Sequence, residues 1–279
     1  MLRAISAVAV LLLFIVFGIP LQWISVKLGL PTKRWIPVLF HKLCVHMFGL
    51  RMTVRGRPAT ERPLLLVSNH SSWLDIVVLS SILPVVFIAK SEIARWPLFG
   101  LFAKLQRTIF VDRARRQETL AVNRMIASRL AEGDPVVLFG EGTESDGNLI
   151  LPFRSALLGV FHEALGEQGG GFLQPVSVAY TRLQGIPMGR QHRPVAARYG
   201  KMNLPSHIKR VLREGAIDVA VTFGQPIKVG PGTDRKSLAH STEAAVRRMT
   251  SAALAGRDTP LKPISSADST GVSLPAESR

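Results

Sequence analysis

His70 and Asp75 stand five residues apart in the stretch Ser68-Asn69-His70-Ser71-Ser72-Trp73-Leu74-Asp75, directly after the apolar run Leu64-Leu65-Leu66-Val67. An imidazole held by a carboxylate is suited to general-base work. The carboxylate fixes the tautomer and stabilises the cation formed when a hydroxyl gives up its proton. On one continuous helix, five residues set side chains about 140° apart, so this pair meets only if a turn leads into a helix beginning near Asp75. Seven His and eight Asp in 279 residues give about 0.2 such pairs by chance, so the context must decide.

Two further polar clusters also follow apolar runs. Thr108-Ile109-Phe110-Val111 leads into Asp112-Arg113, and Val136-Val137-Leu138-Phe139 leads into Gly140-Glu141-Gly142-Thr143-Glu144-Ser145. In open α/β sheets, ligands gather beyond the carboxyl ends of strands, so His70, Arg113 and the Glu141 loop are expected to converge there. The bland reading makes Asp112 and Arg113 a surface pair and residues 140–147 a flexible turn. Neither Ser71 nor Ser72 sits in a G-x-S-x-G elbow, which argues against a serine nucleophile beside His70. His41, His46, His162, His192, His207 and His240 lack a comparable partner pattern and read as surface or packing residues.

The elements that must position these groups are legible as alternating short apolar runs and helical stretches, the sign of an α/β domain. Strands are predicted over 64–67, 85–89, 108–111, 136–139, 173–179 and 217–223. Helices are predicted over 93–105, 117–131, 155–165 and 237–255. The expected organisation is a membrane anchor and interfacial helix over 1–50, a catalytic domain over 51–256 and a disordered tail over 257–279, where Ser, Thr and Pro replace large apolar residues.

Residues 4–24 are apolar apart from Ser6 and Gln22, about the length that crosses a bilayer, although Pro20 offers a re-entrant hairpin instead. Residues 35–50 read as an interfacial helix, with a core helix as the alternative. The net charge is +16, and the first sixty residues hold eight Lys or Arg and no Asp or Glu. Because these cations are interleaved with Leu, Ile, Phe and Trp, an anionic membrane surface is the expected partner rather than nucleic acid. Lys27, Lys33 and Arg34 follow the apolar run, which by the positive-inside bias places the domain on the cytoplasmic face. The single Cys44 excludes an intramolecular disulfide framework and any multi-cysteine zinc site, and reads as a packing residue.

The ordered blocks N-H-x-x-x-x-D (Asn69 to Asp75), I-F-V-D-R (Ile109 to Arg113), F-G-E-G-T (Phe139 to Thr143) and the run through Pro175 resemble those of the 1-acylglycerol-3-phosphate acyltransferase family over roughly residues 50–230. The resemblance implies a single glycerolipid-acyltransferase-like α/β domain whose central mixed sheet is flanked by helices. It implies His70 as base, Asp75 as its orienting partner, Arg113 as a head-group contact, and Glu141, Gly142 and Thr143 as acceptor-binding or structural residues. It further implies a bacterial inner-membrane enzyme with a lysolipid acceptor, an acyl carrier protein or coenzyme A thioester as donor, and no metal or cofactor.

Two residues depart from the usual third block, F-P-E-G-T-R-S: Gly140 stands for the proline and Glu144 for the arginine. Arg107 also replaces a common glycine. The stretches 143–154, 174–182 and 185–190 look most like the lyso-ornithine lipid acyltransferase branch, in which Glu144 would meet the acceptor's ammonium and Arg113 its carboxylate. A lysophosphatidate acceptor yielding phosphatidic acid is the alternative. A noncatalytic lipid-binding protein and a thioester hydrolase are remoter ones.

Overall fold

The computed structural model describes residues 9, 11–112, 119–166, 170–200, 202–230 and 232–257. A π-helical turn over Phe14–Gly18 leads into α1 (Ile19–Lys27), and the chain then reverses into α2 (Thr32–Phe48). Pro20 has no N–H to give, and the helical register slips just before it, where the Ile19 N–H donates to the Phe14 carbonyl. Gly29, at φ 67°, ends α1 in the left-handed conformation that a side chain disfavours.

The two helices form a hairpin, and among the described residues no helix is long and apolar enough to cross a membrane. Residues 4–8 and 10 of the run expected to span a bilayer, 4–24, lie outside the description. Gln22 supplies a physical reason for the hairpin. It is buried, and its Nε2 donates to the carbonyls of Lys33 at 2.9 Å and Leu105 at 2.8 Å, tying α1 to the following helix and to the domain. The next helix has two unlike faces. Val38, His41, Cys44 and Phe48 are buried on one face, whereas Trp35, Leu39 and Leu43, four residues apart, are exposed on the other. Burial pushes the Cys44 thiol up to about 12 and the His41 imidazole down to about 4, so both are neutral packing groups.

The domain continues with β1 (Leu50–Arg55), β2 (Leu64–Ser68), α3 (Leu74–Ile82), β3 (Val86–Lys90), α4 (Phe99–Leu105), β4 (Ile109–Val111), α5 (Thr119–Ala131) and β5 (Val136–Phe139). It closes with α6 (Ser155–Gly166), β6 (Gly171–Leu183), β7 (Ile186–Pro187), α7 (Gly189–His192), α8 (Leu204–Glu214), β8 (Ile217–Phe223), β9 (Ile227–Val229) and α9 (Arg235–Leu254). The strands form one mixed sheet in the order β1-β8-β6-β2-β5-β3-β4, with β7 and β9 paired to β6.

β2 is central and parallel to both neighbours, β5 and β6. Its unbroken apolar run is what two covered faces demand, and the period of two divides it: Leu64 and Leu66 pack into one core cluster, Leu65 and Val67 into the other. Every predicted strand is present, but the edge strand β1 and the short β9 escaped the pattern. The helix predicted over 93–105 is broken: a 3₁₀ turn over Ser91–Arg95 is followed by Pro97 and by Leu98 at φ 60° before α4 begins. The tail expectation lies, from residue 258 on, outside the described residues.

Candidate active site

Ser68 and Phe139 are register partners at the carboxyl ends of the parallel strands β2 and β5. Residues two positions beyond each end therefore meet, and those residues are His70 and Glu141. The His70 N–H donates to Glu141 Oε1 at 2.7 Å, and the Leu151 N–H donates to Glu141 Oε2 at 2.9 Å. A carboxylate buried to 1% exposure thus braces the backbone beneath the imidazole, and its own burial pushes its pKa up to about 7 against the pull of those two N–H groups. The His70 ring stacks on Phe139 with centroids 3.8 Å apart.

The turn required between His70 and Asp75 is present, since α3 begins at Leu74 and residues 69–72 are irregular. His70 Nδ1 lies 2.9 Å from Asp75 Oδ2. Because that oxygen accepts, Nδ1 carries the proton and Nε2 keeps the lone pair. Asp75 is fully buried. Its Oδ2 also accepts from the Ser71 and Ser72 N–H groups at 2.8 and 3.0 Å, and its Oδ1 accepts from the Tyr180 hydroxyl at 2.7 Å. Four donors stand in for the water this carboxylate lost on burial. Burial, then the charge of Asp75, raises the Tyr180 phenol well above its ordinary range, so it remains a donor. The arrangement is that of a base with a fixed tautomer, a free Nε2 and an anion behind it, able to take a proton from a hydroxyl.

The first departure in the third block has a structural cause. The Gly140 N–H donates to the Ser68 carbonyl at 2.9 Å, a bond proline could not make, and a Cβ there would sit 2.5 Å from the Phe153 ring. Gly142, at φ 68°, turns the loop, and Thr143 is exposed beyond it. Glu144, the second departure, is not free: its Oε2 lies 2.5 Å from Arg198 Nη1, while its Oε1 stands 3.9 Å from His70 Nε2. Burial raises its pKa, with His70 and Arg198 pulling the other way. Arg113 lies outside the described residues, after β4, which is separated from β5 by β3. Arg107, at φ 62°, is instead bound into an ion-pair cluster with Glu132 and Asp134, Nη1 lying 3.1 and 2.6 Å from their carboxylates.

Sequence reasoning missed Tyr180, Arg198 and the role of His207. Tyr180 lies on β6, the other parallel neighbour of β2, so its approach was implicit in the strand order but not in spacing. The Arg198 N–H donates to the Ser71 carbonyl at 2.7 Å, fixing that segment to the turn between His70 and Asp75. His207 is a packing residue with a polar duty: its Nδ1 accepts from the Trp73 indole at 2.9 Å, and its Nε2 lies 3.2 Å from the Ala197 carbonyl.

Fold, buried His-Asp pair and strand-end loops are those of one class, and the comparisons agree: the chain belongs to the acyltransferase family, which is matched over residues 51–180, and it is an acyltransferase enzyme. It is 49% identical to the lyso-ornithine lipid O-acyltransferase of Brucella abortus over 93% of this chain and 98% of that protein. The Rhizobium meliloti protein of the same name is 42% identical over 85% of this chain and 82% of its own length. A 1-acyl-sn-glycerol-3-phosphate acyltransferase of Neisseria meningitidis is 32% identical over 69% of this chain and 72% of that protein. The fold is similar to the crystal structure of the 1-acyl-sn-glycerophosphate acyltransferase PlsC from Thermotoga maritima, with TM-score 0.63 over 93% of this chain and 97% of that one, at 20% identity.

Proposed function

We propose that this enzyme transfers a fatty acyl group from an acyl carrier protein or coenzyme A thioester to the hydroxyl of lyso-ornithine lipid at a membrane surface. The observation that carries the chemistry is the free Nε2 of His70, with Nδ1 held by the four-fold solvated Asp75. The acceptor is supported by the two lyso-ornithine lipid relatives, each matched over most of its length.

His70 Nε2 takes the proton of the acceptor hydroxyl, and the oxygen attacks the thioester carbonyl. As the tetrahedral intermediate collapses, the new C–O ester bond remains, the C–S bond breaks, and the imidazolium proton passes to the departing thiolate. Asp75 stabilises the imidazolium in between. Purified protein incubated with labelled thioester and a lysolipid panel is expected to form ornithine lipid in step with thioester loss. Acylation of lysophosphatidate in preference would move the enzyme to the phosphatidic acid branch, and thioester loss without a diacylated product would make it a hydrolase.

The surface that brings the enzyme to its lipid is the outer face of the helical hairpin. Leu21, Trp23, Ile24, Leu28, Trp35 and Leu39 are exposed there, among the exposed cations Lys27 and Lys42. The Lys27 ammonium lies 4.8 Å over the Trp23 ring. Apolar insertion and attraction to anionic head groups then act together, each cation contributing about 1 kcal/mol. We place this face on the cytoplasmic leaflet of the inner membrane. Removing residues 1–50 would strip Val38, Cys44 and Phe48 from the core, so Trp35→Glu with Leu39→Glu is the cleaner test. Flotation with anionic vesicles is expected to fall at least tenfold in the double variant; unchanged flotation would place the membrane contact elsewhere.

A further inference from the structure

Glu144 stands where the family's usual block has arginine, and the positive charge has not left the site. It comes from Arg198, in the segment between β6 and α8, through a contact of 2.5 Å. This pairing has a geometric result. One carboxylate oxygen is held by the guanidinium, and the other is kept 3.9 Å from His70 Nε2, outside hydrogen-bond range. A glutamate without that partner would be drawn onto the imidazole and would cover the nitrogen that must receive the acceptor's proton.

The pair also has unused capacity on both signs. Glu144 Oε1 faces the base without a bond to it, and the Arg198 side chain, 18% exposed, meets Glu144 through Nη1. Arg198 is held from behind: its N–H is bound to the Ser71 carbonyl at 2.7 Å, and the preceding Ala197 carbonyl lies 3.2 Å from His207 Nε2. The two charges sum to nothing, so such a pair selects by arrangement rather than by net charge. A phosphate drawn to Arg198 is opposed by Glu144, whereas a head group with one cation and one anion satisfies both.

We propose that Glu144 and Arg198 act as one two-signed reader of the acceptor head group, Glu144 Oε1 receiving its ammonium and the spare guanidinium donors of Arg198 its carboxylate, so that the hydroxyl is presented to His70 Nε2. This rests on the lyso-ornithine lipid reading above and assigns the specificity of that site to a residue 54 positions from the third block.

The test pairs two variants with two altered acceptors. Wild-type enzyme, Glu144→Gln and Arg198→Gln are each assayed with lyso-ornithine lipid, with the same lipid N-acetylated on its ammonium, and with its carboxylate methyl ester. Wild type is expected to disfavour each altered acceptor at least tenfold in kcat/KM, chiefly through acceptor KM, with the donor KM unmoved. Glu144→Gln should lose discrimination against the acetylated lipid alone, Arg198→Gln should lose it against the ester alone, and Arg198→Lys should recover part of it. Wild-type indifference to both altered lipids overturns the inference, and needs no variant to fold. So does an equal fall of every variant on all three acceptors, which is the behaviour of a structural ion pair. Failure of the wild type to acylate lyso-ornithine lipid while it acylates lysophosphatidate would instead overturn the acceptor assignment itself.

Discussion

The polar groups behind His70 and those in front of it are built on opposite terms. Behind it, Asp75 accepts from four donors and Glu141 from two backbone N–H groups, and neither carboxylate has solvent exposure above 1%. In front, Glu144 has one oxygen engaged and one 3.9 Å from the base, and the Arg198 side chain that holds it is 18% exposed. A saturated anion has one low-energy arrangement, so it preorganises the base before any substrate arrives. An incompletely bonded pair leaves room for a substrate to complete it. On the reading proposed above, the comparison separates the part of the site assigned to the transfer from the part assigned to the choice of acceptor.

Breaking the saturated side should cost turnover on every acceptor alike. His70→Ala removes the base, and a loss of about 10²–10⁴-fold in kcat is expected, measured as labelled product per enzyme with circular dichroism showing the fold intact. Near-normal turnover would end the mechanism. Asp75→Asn puts an N–H donor where four donors converge, and a loss somewhat below that of His70→Ala is expected, again independent of acceptor. Tyr180→Phe deletes one of those four donors and leaves the other three; at about 1.5 kcal/mol for a bond to a charged group, roughly a tenfold fall is expected. A Tyr180→Phe enzyme that altered the ratio between acceptors would blur the division drawn above.

The smallest expected effect is the pH response of Glu141. Its pKa in the fold, about 7, lies above the ordinary 4.5, so the folded state holds this proton more tightly than the unfolded chain does. The stability that this group contributes is therefore full below its ordinary pKa and is lost as pH rises through about 7. Between pH 5 and 9 the melting temperature of wild type should fall relative to Glu141→Gln by a few degrees, the fall running from the acid end of that range to about pH 7 and levelling off above it. A difference that stays flat across that range would show that Glu141 does not titrate there.

Much of this was legible in the sequence, because strand ends carry it. β2 and β5 read as unbroken apolar runs, each with a chemical group within three residues of its end, and the pairing of Ser68 with Phe139 puts His70 and Glu141 at equal offsets. The turn before α3 was demanded by the spacing of His70 and Asp75 alone. What escaped reading depends on contacts far apart in the chain. Tyr180 reaches Asp75 across 105 positions, and nothing local marks it. Arg198 sits in a stretch rich in basic residues, where composition cannot say which cation faces a carboxylate. The helix α8 had a signal that went unused: Asn203 caps it, its side chain accepting from the Ser206 N–H at 3.3 Å, with Pro205 in the first turn.

The bond from the Trp73 indole to His207 Nδ1 has a consequence for how such an enzyme changes over generations. The histidine must present a bare nitrogen to the indole, and its other nitrogen lies against the segment that carries Arg198, while the Arg198 backbone is tied to Ser71. The turn proposed to set the rate and the segment proposed to set the choice of acceptor are thus stitched together at two points. A lineage drifting toward a new lipid cannot remodel the second without disturbing the first, so its intermediates should pass through slow enzymes. The substitutions that succeed should arrive in linked sets spanning 69–75, 144 and 197–207 rather than one at a time.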